Sequence, residues 1–366
     1  MEVVFQRKTL LAAMIRAAAV CETKTTIPIL GCLKVSLSDG VMDIRTTDSS
    51  SFFRCAVDVE SIRDGTDDDF AFPRERAIGF LSAVHDETVK LSFSARYLDI
   101  STASARARIS LMPAAELPWA EPPQPGAIFP IDRLGETLRK LYWAFNIGSS
   151  FANHALKLEC ENGPIHASIN ANPCFVVANL GEPETSASFE AAITEKQARA
   201  LATTFPGAAM IGPSASWLIV ADADGARLAL KTVPAGKVPW RQFFLRESWP
   251  TKFTAPARDL SAALSSVLMF SDEIRVTRSR AIDLKVSAGA LSITANSYGD
   301  EASVSVPVQG DSNGQGVIIN GAFLRSALAA CDGEASICWD DPARTPLIVS
   351  CGNVQHGITL LTRVKG

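Results

Sequence analysis

The sequence predicts an α+β chain of three similar domains, each built from two modules in which one helix accompanies antiparallel strands. Three observations lead to this fold class. Phe5, Phe129 and Phe253 recur at a spacing of 124 residues. Each is followed by a segment with apolar residues every three or four positions, which is typical of an amphipathic helix. Each of these segments is followed in turn by alternating residues around a glycine-containing turn, so the same pattern is used three times.

The first module of each domain begins at its phenylalanine. The predicted helical segments are KTLLAAMIRAAAV, IDRLGETLRKLYWAF and PARDLSAALSSVLMF. The hairpins that follow them read LKVSLSDGVMDI, LKLECENGPIHAS and IDLKVSAGALSIT. Asp39-Gly40 and Asn162-Gly163 favour tight hairpin turns, because such turns need a positive φ that Gly, Asn and Asp tolerate.

The second module repeats the order of helix and hairpin. Its helical segments are PRERAIGFLSAV, TEKQARALATTF and NGAFLRSALAAC, and its hairpins are YLDISTASARARISL, SWLIVADADGARLALKTV and PLIVSCGNVQHGITLLTRV. The proline-containing segments LPWAEPPQPG and RESWPTKF indicate linkers between domains. The predicted domains are therefore residues 1–122, 123–248 and 249–366.

The composition is that of an ordinary globular protein, with 47% hydrophobic and 20% charged residues. We expect a cytoplasmic protein with no membrane partner, because there is no bilayer-length apolar run and the start, MEVVFQRK, lacks the apolar stretch of a signal peptide. The eight cysteines form no CxxC pair, which predicts reduced, buried side chains. The net charge of −4 disfavours nucleic acid unless basic residues are gathered on one surface.

Known catalytic and metal-binding motifs are absent from the sequence. None of the four histidines belongs to an HExxH motif or lies near cysteines at zinc spacing. There is no GxSxG, phosphate-loop or dinucleotide-binding glycine pattern. We therefore expect no enzymatic activity, no cofactor and no metal site. A repeat β-rich hydrolase with an unrecognised site is the one enzyme alternative that stays open.

Every predicted helical segment carries at least one basic residue. On one helix alone, this is typical of an ordinary solvated face. If the six helices share a face, however, that face suits contact with phosphates without reading of bases. The basic helix residues that we expect to contact DNA are Arg74, Arg76, Arg133, Arg139, Lys140, Lys196, Arg199 and Arg325.

Several local motifs occur in the order known from one family. They are TxxPILG at 25–31 with the SDG turn after it, SLMPAAELP at 110–118, and the helix openings FPIDRL and FTAPARDL. With these motifs, the chain resembles the bacterial DNA polymerase III beta subunit, the DNA sliding clamp, over essentially its full length. The resemblance implies a head-to-tail homodimeric ring of six domains, with helices lining a hole for duplex DNA and sheets outside. It also implies a non-catalytic processivity factor that tethers a DNA polymerase.

The resemblance implies two functional surfaces besides the ring interface. For DNA, Lys24 stands at a basic position before the PILG step, and Arg76 and Lys196 match basic positions on the inner helices. The other surface is a groove that receives short linear peptides from polymerase and clamp-loader subunits. Its matching positions are Val176, Pro239, Phe243, Phe244, Leu360, Thr362 and Val364.

The segments NPCFV at 172–176 and TRVKG at 362–366 depart from the family's pattern around this groove. A clamp-like paralogue, from a mobile element or a repair system and serving a different polymerase, is therefore an alternative to the replicative clamp. At the dimer interface, Ala107 stands where the family has an aromatic residue, and Phe270 either replaces that ring from the facing segment or is a core residue. The implied interface residues are Arg106, Ala107, Met269, Phe270, Asp300 and Glu301.

Overall fold

All six predicted helical segments form helices in the computed structural model. The model describes residues 1–63, 68–147, 155–214, 216–236, 240–246, 248–271, 273–274, 279–297, 300–340 and 345–361. Within these residues the α-helices are α1 Arg7–Ala18, α2 Arg74–Ala83, α3 Leu134–Leu141, α4 Glu195–Thr204, α5 Arg241–Phe244, α6 Ala257–Val267 and α7 Gly321–Ala329. Short 3-10 turns cover Pro28–Gly31, Ala114–Glu116, Tyr142–Asn146 and Leu268–Phe270.

The strands follow in three groups along the chain. The first group is β1 Glu2–Gln6, β2 Cys32–Ser38, β3 Val41–Thr47, β4 Ser51–Asp58, β5 Ser61–Arg63, β6 Asp69–Pro73, β7 Thr88–Phe93, β8 Tyr97–Ser101 and β9 Arg106–Ser110. The second is β10 Phe129–Ile131, β11 Ala155–Glu161, β12 His166–Ala171, β13 Cys174–Asn179, β14 Ser188–Thr194, β15 Ala209–Ser214, β16 Trp217–Ala221 and β17 Arg227–Lys231. The third is β18 Thr251–Pro256, β19 Glu273–Ile274, β20 Ser279–Ser287, β21 Ala290–Ser297, β22 Asp300–Pro307, β23 Gln309–Asp311, β24 Val317–Asn320, β25 Glu334–Trp339, β26 Leu347–Cys351 and β27 Val354–Ile358.

The chain divides into two compact units, each with two antiparallel sheets. The first unit comprises Met1–Glu136 and Pro183–Val233. Its sheets have the strand orders β5-β1-β7-β8-β9 and β10-β15-β16-β17-β4-β3-β2-β6. The second unit comprises Thr137–Glu182 and Pro234–Gly366, with the order β11-β12-β13-β27-β26-β25-β18-β23 and a sheet β19-β20-β21-β22 in which β24 also pairs with β20. The predicted three-domain division stays a prediction.

The repeat seen in the sequence is confirmed as a repeated strand-to-helix step. Phe5, Phe129 and Phe253 are all buried, on β1, β10 and β18, and these strands lead into α1, α3 and α6. In the second modules β6, β14 and β24 lead into α2, α4 and α7 in the same way. The start of α4 is set by a capping box, in which Thr194 and Gln197 satisfy each other's backbone N–H groups.

One glycine in the first unit is required by a close approach between backbones. A Cβ on Gly135, near the start of α3, would lie 2.5 Å from the Phe205 carbonyl oxygen and 2.6 Å from that of Ala202. Both neighbours are backbone atoms of α4 or the residue after it, so they have no side-chain freedom to move away. The pairing of α3 with the end of α4 therefore depends on the missing side chain.

The prediction that all eight cysteines are reduced is wrong for two of them. Cys331, just after α7, and Cys351, at the end of β26, form a disulfide with their Cα atoms 5.4 Å apart. The fold brings these positions together across 20 residues, which the absence of a CxxC spacing did not reveal. The other six cysteines are buried thiols, as predicted.

No helix in the described part of the chain is both long enough and apolar enough to cross a bilayer.

Candidate functional site

The basic residues predicted to contact DNA fall into two groups. Lys24, Arg76 and Arg325 are exposed, and no carboxylate of the described residues pairs with them. Arg139 is exposed as well. In the other group, each cation has a specific partner within its own unit, so its charge is partly compensated before any DNA arrives.

Lys196 is the most strongly compensated of these cations. Its Nζ lies 2.6 Å from Glu22 Oε1 and 2.6 Å from Asp48 Oδ2. Burial alone would lower the pKa of Lys196, but the hydrogen bonds and negative charges of Asp48 and Glu22 outweigh it and raise the pKa. The pKa of Asp48 is lowered, because its bonds to Lys196 and Ser50 outweigh burial. One cation between two carboxylates leaves a net negative group, which does not favour contact with phosphate.

The remaining cations of the set are held by nearby groups. Arg74 donates a hydrogen bond to the Ala18 carbonyl at the end of α1, and its side chain is only 11% exposed. Lys140 Nζ lies 2.7 Å from Asp332 Oδ2. Arg133 pairs with Glu136, and Arg199 pairs with Glu195 one helical turn away. Because Arg74 caps a carbonyl at the C-terminal end of α1, its main role is to stabilise the fold.

Three aromatic rings form a wall in the second unit, where the peptide groove was predicted. Phe243 and Phe244 lie on α5, and the ring of Phe175 on β13 lies with its centroid 5.7 Å from Phe243 and 5.2 Å from Phe244. The ring of Phe175 covers Gly357, where an added Cβ would overlap it. All three rings are partly exposed. This aromatic wall (Phe175, Phe243 and Phe244) can accept an apolar side chain of a peptide.

The structure does not bring all the predicted groove residues to this wall. Val176 is fully buried, and because side chains alternate along a strand it points to the face of β13 opposite Phe175. Leu360 is also buried, directly after Thr359, whose N–H and hydroxyl both bond the Pro173 carbonyl. Pro239, Thr362 and Val364 lie outside the described residues.

A buried charge network holds the segment that carries α5. Glu159 accepts hydrogen bonds from Trp240 Nε1 at 2.9 Å and Arg241 Nη1 at 3.0 Å, and it pairs with Lys157 at 2.8 Å. Burial alone would raise the pKa of Glu159, but the bonds from Lys157 and Trp240 and the neighbouring positive charges outweigh it and lower the pKa. The ring of His166 packs on Trp240 with centroids 4.5 Å apart. We infer that this network fixes the position of Phe243 and Phe244.

Four of the predicted interface residues lie on strands at open sheet edges, two in each unit, and Met269 and Phe270 lie in the 3-10 turn Leu268–Phe270. In the first unit, β9 with Arg106 and Ala107 is an edge strand, and in the second unit β22 with Asp300 and Glu301 is another. Arg106, Asp300 and Glu301 are exposed. Met269 and Phe270 are 78% and 41% exposed, so Phe270 is not a core residue of the single chain. The two edges carry opposite charge, as partners in a head-to-tail contact need.

In the described residues, no group of three or more His, Cys, Asp or Glu side chains is arranged to hold a metal ion. Burial lowers the pKa of His356 to about 3, and partial burial together with the nearby charge of Arg241 lowers the pKa of His166. Each ring has one nitrogen with no hydrogen-bond partner among the described residues. Neither histidine lies beside a serine, cysteine or carboxylate in a nucleophile–base geometry that the structure records.

Comparison with known proteins identifies the fold, and it matches the first third of the chain to a known family. Residues 1–121 match the model of the N-terminal domain of the DNA polymerase III beta subunit. The whole chain superimposes on the beta subunit from Thermotoga maritima with 17% identity and a TM-score of 0.85, covering 99% of this chain and 100% of that one. The whole chain therefore has the fold of these beta subunits, and its first 121 residues match the N-terminal domain of their family.

Other solved clamps match over the same length. A sliding clamp from Pseudomonas aeruginosa bound to griselimycin is 16% identical with a TM-score of 0.84, and the beta subunit from Streptococcus pyogenes is 12% identical with a TM-score of 0.83. Each match covers 99% of this chain and 100% of the other. No curated protein sequence matches this chain significantly.

The residues that sequence reasoning missed are those whose role depends on neighbours that are distant in the sequence. Phe175 precedes Val176 in the segment NPCFV. Because side chains alternate between the two faces of a strand such as β13, the sequence could have indicated that only one of these two residues faces α5. Glu159 and Lys157 read as ordinary strand residues, and nothing local to them indicates a partner 81 residues away such as Trp240.

Proposed function

We propose that this clamp forms a head-to-tail homodimeric ring around duplex DNA and tethers a DNA polymerase, and its clamp loader, through short linear peptides. The full-length clamp fold carries this proposal. Each chain would supply three domains, residues 1–122, 123–248 and 249–366. DNA would be held without sequence preference, because phosphates rather than base edges meet the helices.

The open edges β9 and β22 support ring closure. An exposed edge strand presents unpaired N–H and C=O groups, which favour pairing with another chain. Arg106 on one edge and Asp300 and Glu301 on the other set the orientation of such a contact, and Phe270 supplies the exposed ring that Ala107 lacks. Two such contacts per pair of chains close a ring with no edge of this kind left over.

Light scattering tests the ring directly. We expect the mass of a dimer at micromolar concentration, and we expect Phe270→Ala with Met269→Ser to shift the chain towards monomer. Ile128→Ala, at another exposed apolar residue (55% exposed), is the matched control and should leave the dimer intact. A wild-type chain that stays monomeric would count against the ring.

A primer-extension assay on circular DNA, with the cell's own polymerase and loader, tests tethering. We expect longer products in the presence of the clamp, and loss of this effect for Phe243→Ser with Phe244→Ser. These two changes leave β9 and β22 untouched, so the dimer should persist by light scattering. Unchanged processivity in that variant would place the peptide site away from the aromatic wall.

DNA contact is assigned to Lys24, Arg76 and Arg325 ahead of the compensated cations. These three have no carboxylate partner among the described residues. A DNA phosphate that binds them therefore displaces solvent counterions and does not have to break an ion pair. Lys196, Arg74 and Lys140 already have partners. Arg133, Arg139 and Arg199 are candidates of lower rank; Arg133 pairs with Glu136, and Arg199 pairs with Glu195.

A further inference from the structure

A row of basic residues crosses four adjacent strands of the first unit's large sheet. Lys34 on β2 is the direct cross-strand partner of Arg45 on β3, Arg45 of Arg54 on β4, and Arg54 of Arg227 on β17. Direct partners project to the same face of a sheet, and neighbouring strands lie about 4.8 Å apart. The basic row (Lys34, Arg45, Arg54 and Arg227) therefore lies on one face, while the alternate residues, such as Val35 and Ile44, are buried on the other.

Only part of this positive charge is compensated. Asp69 lies 2.7 Å from Lys34, and Asp43 serves both Arg45, at 2.6 Å, and Arg54 Nε, at 2.7 Å. Two carboxylates thus form the ion pairs of a row of four cations. The two Nη groups of Arg54 have no hydrogen-bond partner in the described residues, although half of that side chain is exposed.

Arg227 is the second cation with spare donors. Its Nη2 donates to the Pro123 carbonyl at 2.6 Å, which ties the proline-rich segment to the sheet. Its Nε is buried and has no hydrogen-bond partner in the described part of the chain. A buried guanidinium N–H without a partner is costly, and an incoming acceptor would relieve that cost.

An aromatic cluster adjoins the basic row on the same face. Phe52 makes edge contacts with Trp119 at 5.7 Å and Trp217 at 5.6 Å between ring centroids. Trp119 comes from the proline-rich segment, and Arg45 lies over its ring at 5.8 Å. The segment that the sequence indicated as a linker is thus packed on the sheet, and it forms one wall of a recess.

A cavity of about 370 Å³ lies where the basic row meets the aromatic cluster. This size is within the range of ligand pockets and suits one large side chain with an adjoining polar group. The residues that line it and enter the argument are Asp43, Phe52, Arg54, Trp119, Glu121 and Arg227. All belong to the first unit, so nothing about the cavity depends on ring closure or on the aromatic wall of the second unit.

We propose that this cavity is a second partner site, which binds a short acidic peptide with an aromatic or large aliphatic side chain beside a carboxylate. The apolar side chain packs on Phe52 and Trp119, and the carboxylate accepts hydrogen bonds from Arg54 and Arg227. Guanidinium groups match carboxylates in geometry and charge. The site thereby offers this clamp a partner contact on a sheet face, separate from the peptide groove.

The charges around the cavity favour a peptide over a nucleic acid strand. Glu121 and Asp43 line the cavity, and the exposed Asp224 flanks it next to Gly225. A strand with one phosphate per nucleotide would meet these carboxylates, and two cations with spare donors release few counterions. A single peptide carboxylate reaches Arg54 and Arg227 without a continuous line of negative charge.

The probe is a display library of random heptapeptides, panned against the chain that carries Phe243→Ser and Phe244→Ser so that the other groove selects nothing. We expect enriched sequences with Asp or Glu within two positions of Trp, Phe or Leu. A synthetic peptide of the enriched sequence should bind the chain in solution. Failure to enrich any sequence, or enrichment without an acidic residue, overturns the proposal.

Matched variants locate the bound peptide. Arg54→Gln with Arg227→Gln should weaken binding at least tenfold, whereas Arg96→Gln, at an exposed arginine of the same unit, should leave it unchanged. Ala56→Trp fills the cavity mouth from an exposed position and keeps both arginines, so it should also weaken binding at least tenfold even if the double arginine variant fails to fold. Full binding by the Ala56→Trp chain overturns the proposal. Binding of an eight-residue oligothymidylate that Ala56→Trp abolishes would overturn it in favour of nucleic acid.

Discussion

Two charge networks of similar design occur in the two units, and they differ in burial. In the first unit, Lys196 lies between the carboxylates of Glu22 and Asp48; in the second, Glu159 lies between Lys157 and two donors of the α5 segment. The Lys196 side chain is 44% exposed, whereas that of Glu159 is 7% exposed. The same kind of ion pair therefore has different consequences, because water reaches Lys196 and Glu22 in the first network, where only Asp48 is buried, whereas Lys157 and Glu159 in the second are both shielded from water.

The largest effect is expected for Glu159→Ala. It removes the one carboxylate that Trp240, Arg241 and the buried Lys157 share, and breaking a buried pair from one side typically costs about 3–5 kcal/mol. Urea unfolding should therefore show a loss of this size in the free energy of unfolding. Glu161→Ala is the control. The Glu161 side chain is 69% exposed and forms a longer ion pair with Arg241, at 3.5 Å, so this change should lower the free energy of unfolding by less than about 1 kcal/mol. Equal losses for the two variants would contradict the role of burial.

Buried histidine in the second unit predicts a pH effect of intermediate size. The pKa of His356 is lowered by burial to about 3, and it accepts a hydrogen bond from Trp143 Nε1 at 3.3 Å. An unfolded histidine titrates near pH 6.5, so the unfolded state binds more protons between about pH 6.5 and pH 3. The free energy of unfolding should fall as pH falls through this window, by up to about 1.4 kcal/mol per pH unit.

The slope identifies the histidine responsible. His356→Gln should remove most of the slope between pH 6.5 and pH 4, whatever its effect on stability at neutral pH. His85→Gln, at an exposed residue of the first unit, is the control and should keep the slope of the wild-type chain. A slope that survives in the His356 variant would assign the pH dependence to other groups.

The exposed network should respond weakly to the loss of its cation. Lys196→Met should lower the free energy of unfolding by about 0.2–1 kcal/mol, because Glu22 is partly exposed to solvent and the buried Asp48 keeps its hydrogen bonds from Ser50 and from the Ser51 N–H. Urea unfolding in low and high salt checks this, and the difference should shrink at high salt. A loss as large as that of Glu159→Ala would mean that exposure does not set the cost.

The smallest expected effect is on the salt dependence of DNA binding, which should differ between cations that have an ion-pair partner and cations that have none. The slope of log affinity against log salt should fall by about 1 for Arg76→Gln, because a phosphate contact is lost. Lys196→Gln should leave that slope unchanged, because the charge of Lys196 is already compensated by Glu22 and Asp48. Fluorescence anisotropy with duplex DNA across a salt series measures both. A reduced slope for Lys196→Gln would return Lys196 to the DNA surface.

Local sequence patterns were enough to predict the repeat and the helices, but they did not predict which residues pair over long distances in the sequence. Phe5, Phe129 and Phe253 mark their strands because spacing along the chain is itself the signal. Lys196 and Glu22 are 174 residues apart, and no periodicity tells a paired lysine from a free one. The disulfide of Cys331 and Cys351 was missed for the same reason. A pattern therefore predicts which face a side chain is on, and only the fold decides what meets it there.

The contact between Phe175 and Gly357 links two positions on neighbouring strands that must change together. Gly357 is the direct cross-strand partner of Phe175, and the ring occupies the space that a side chain at position 357 would need. Each single replacement of the glycine meets the ring, while the pair of changes Phe175→Ala and Gly357→Phe returns an aromatic group to the same volume from the other strand. Relatives of this clamp should therefore show an inverse relation of side-chain size at these two positions.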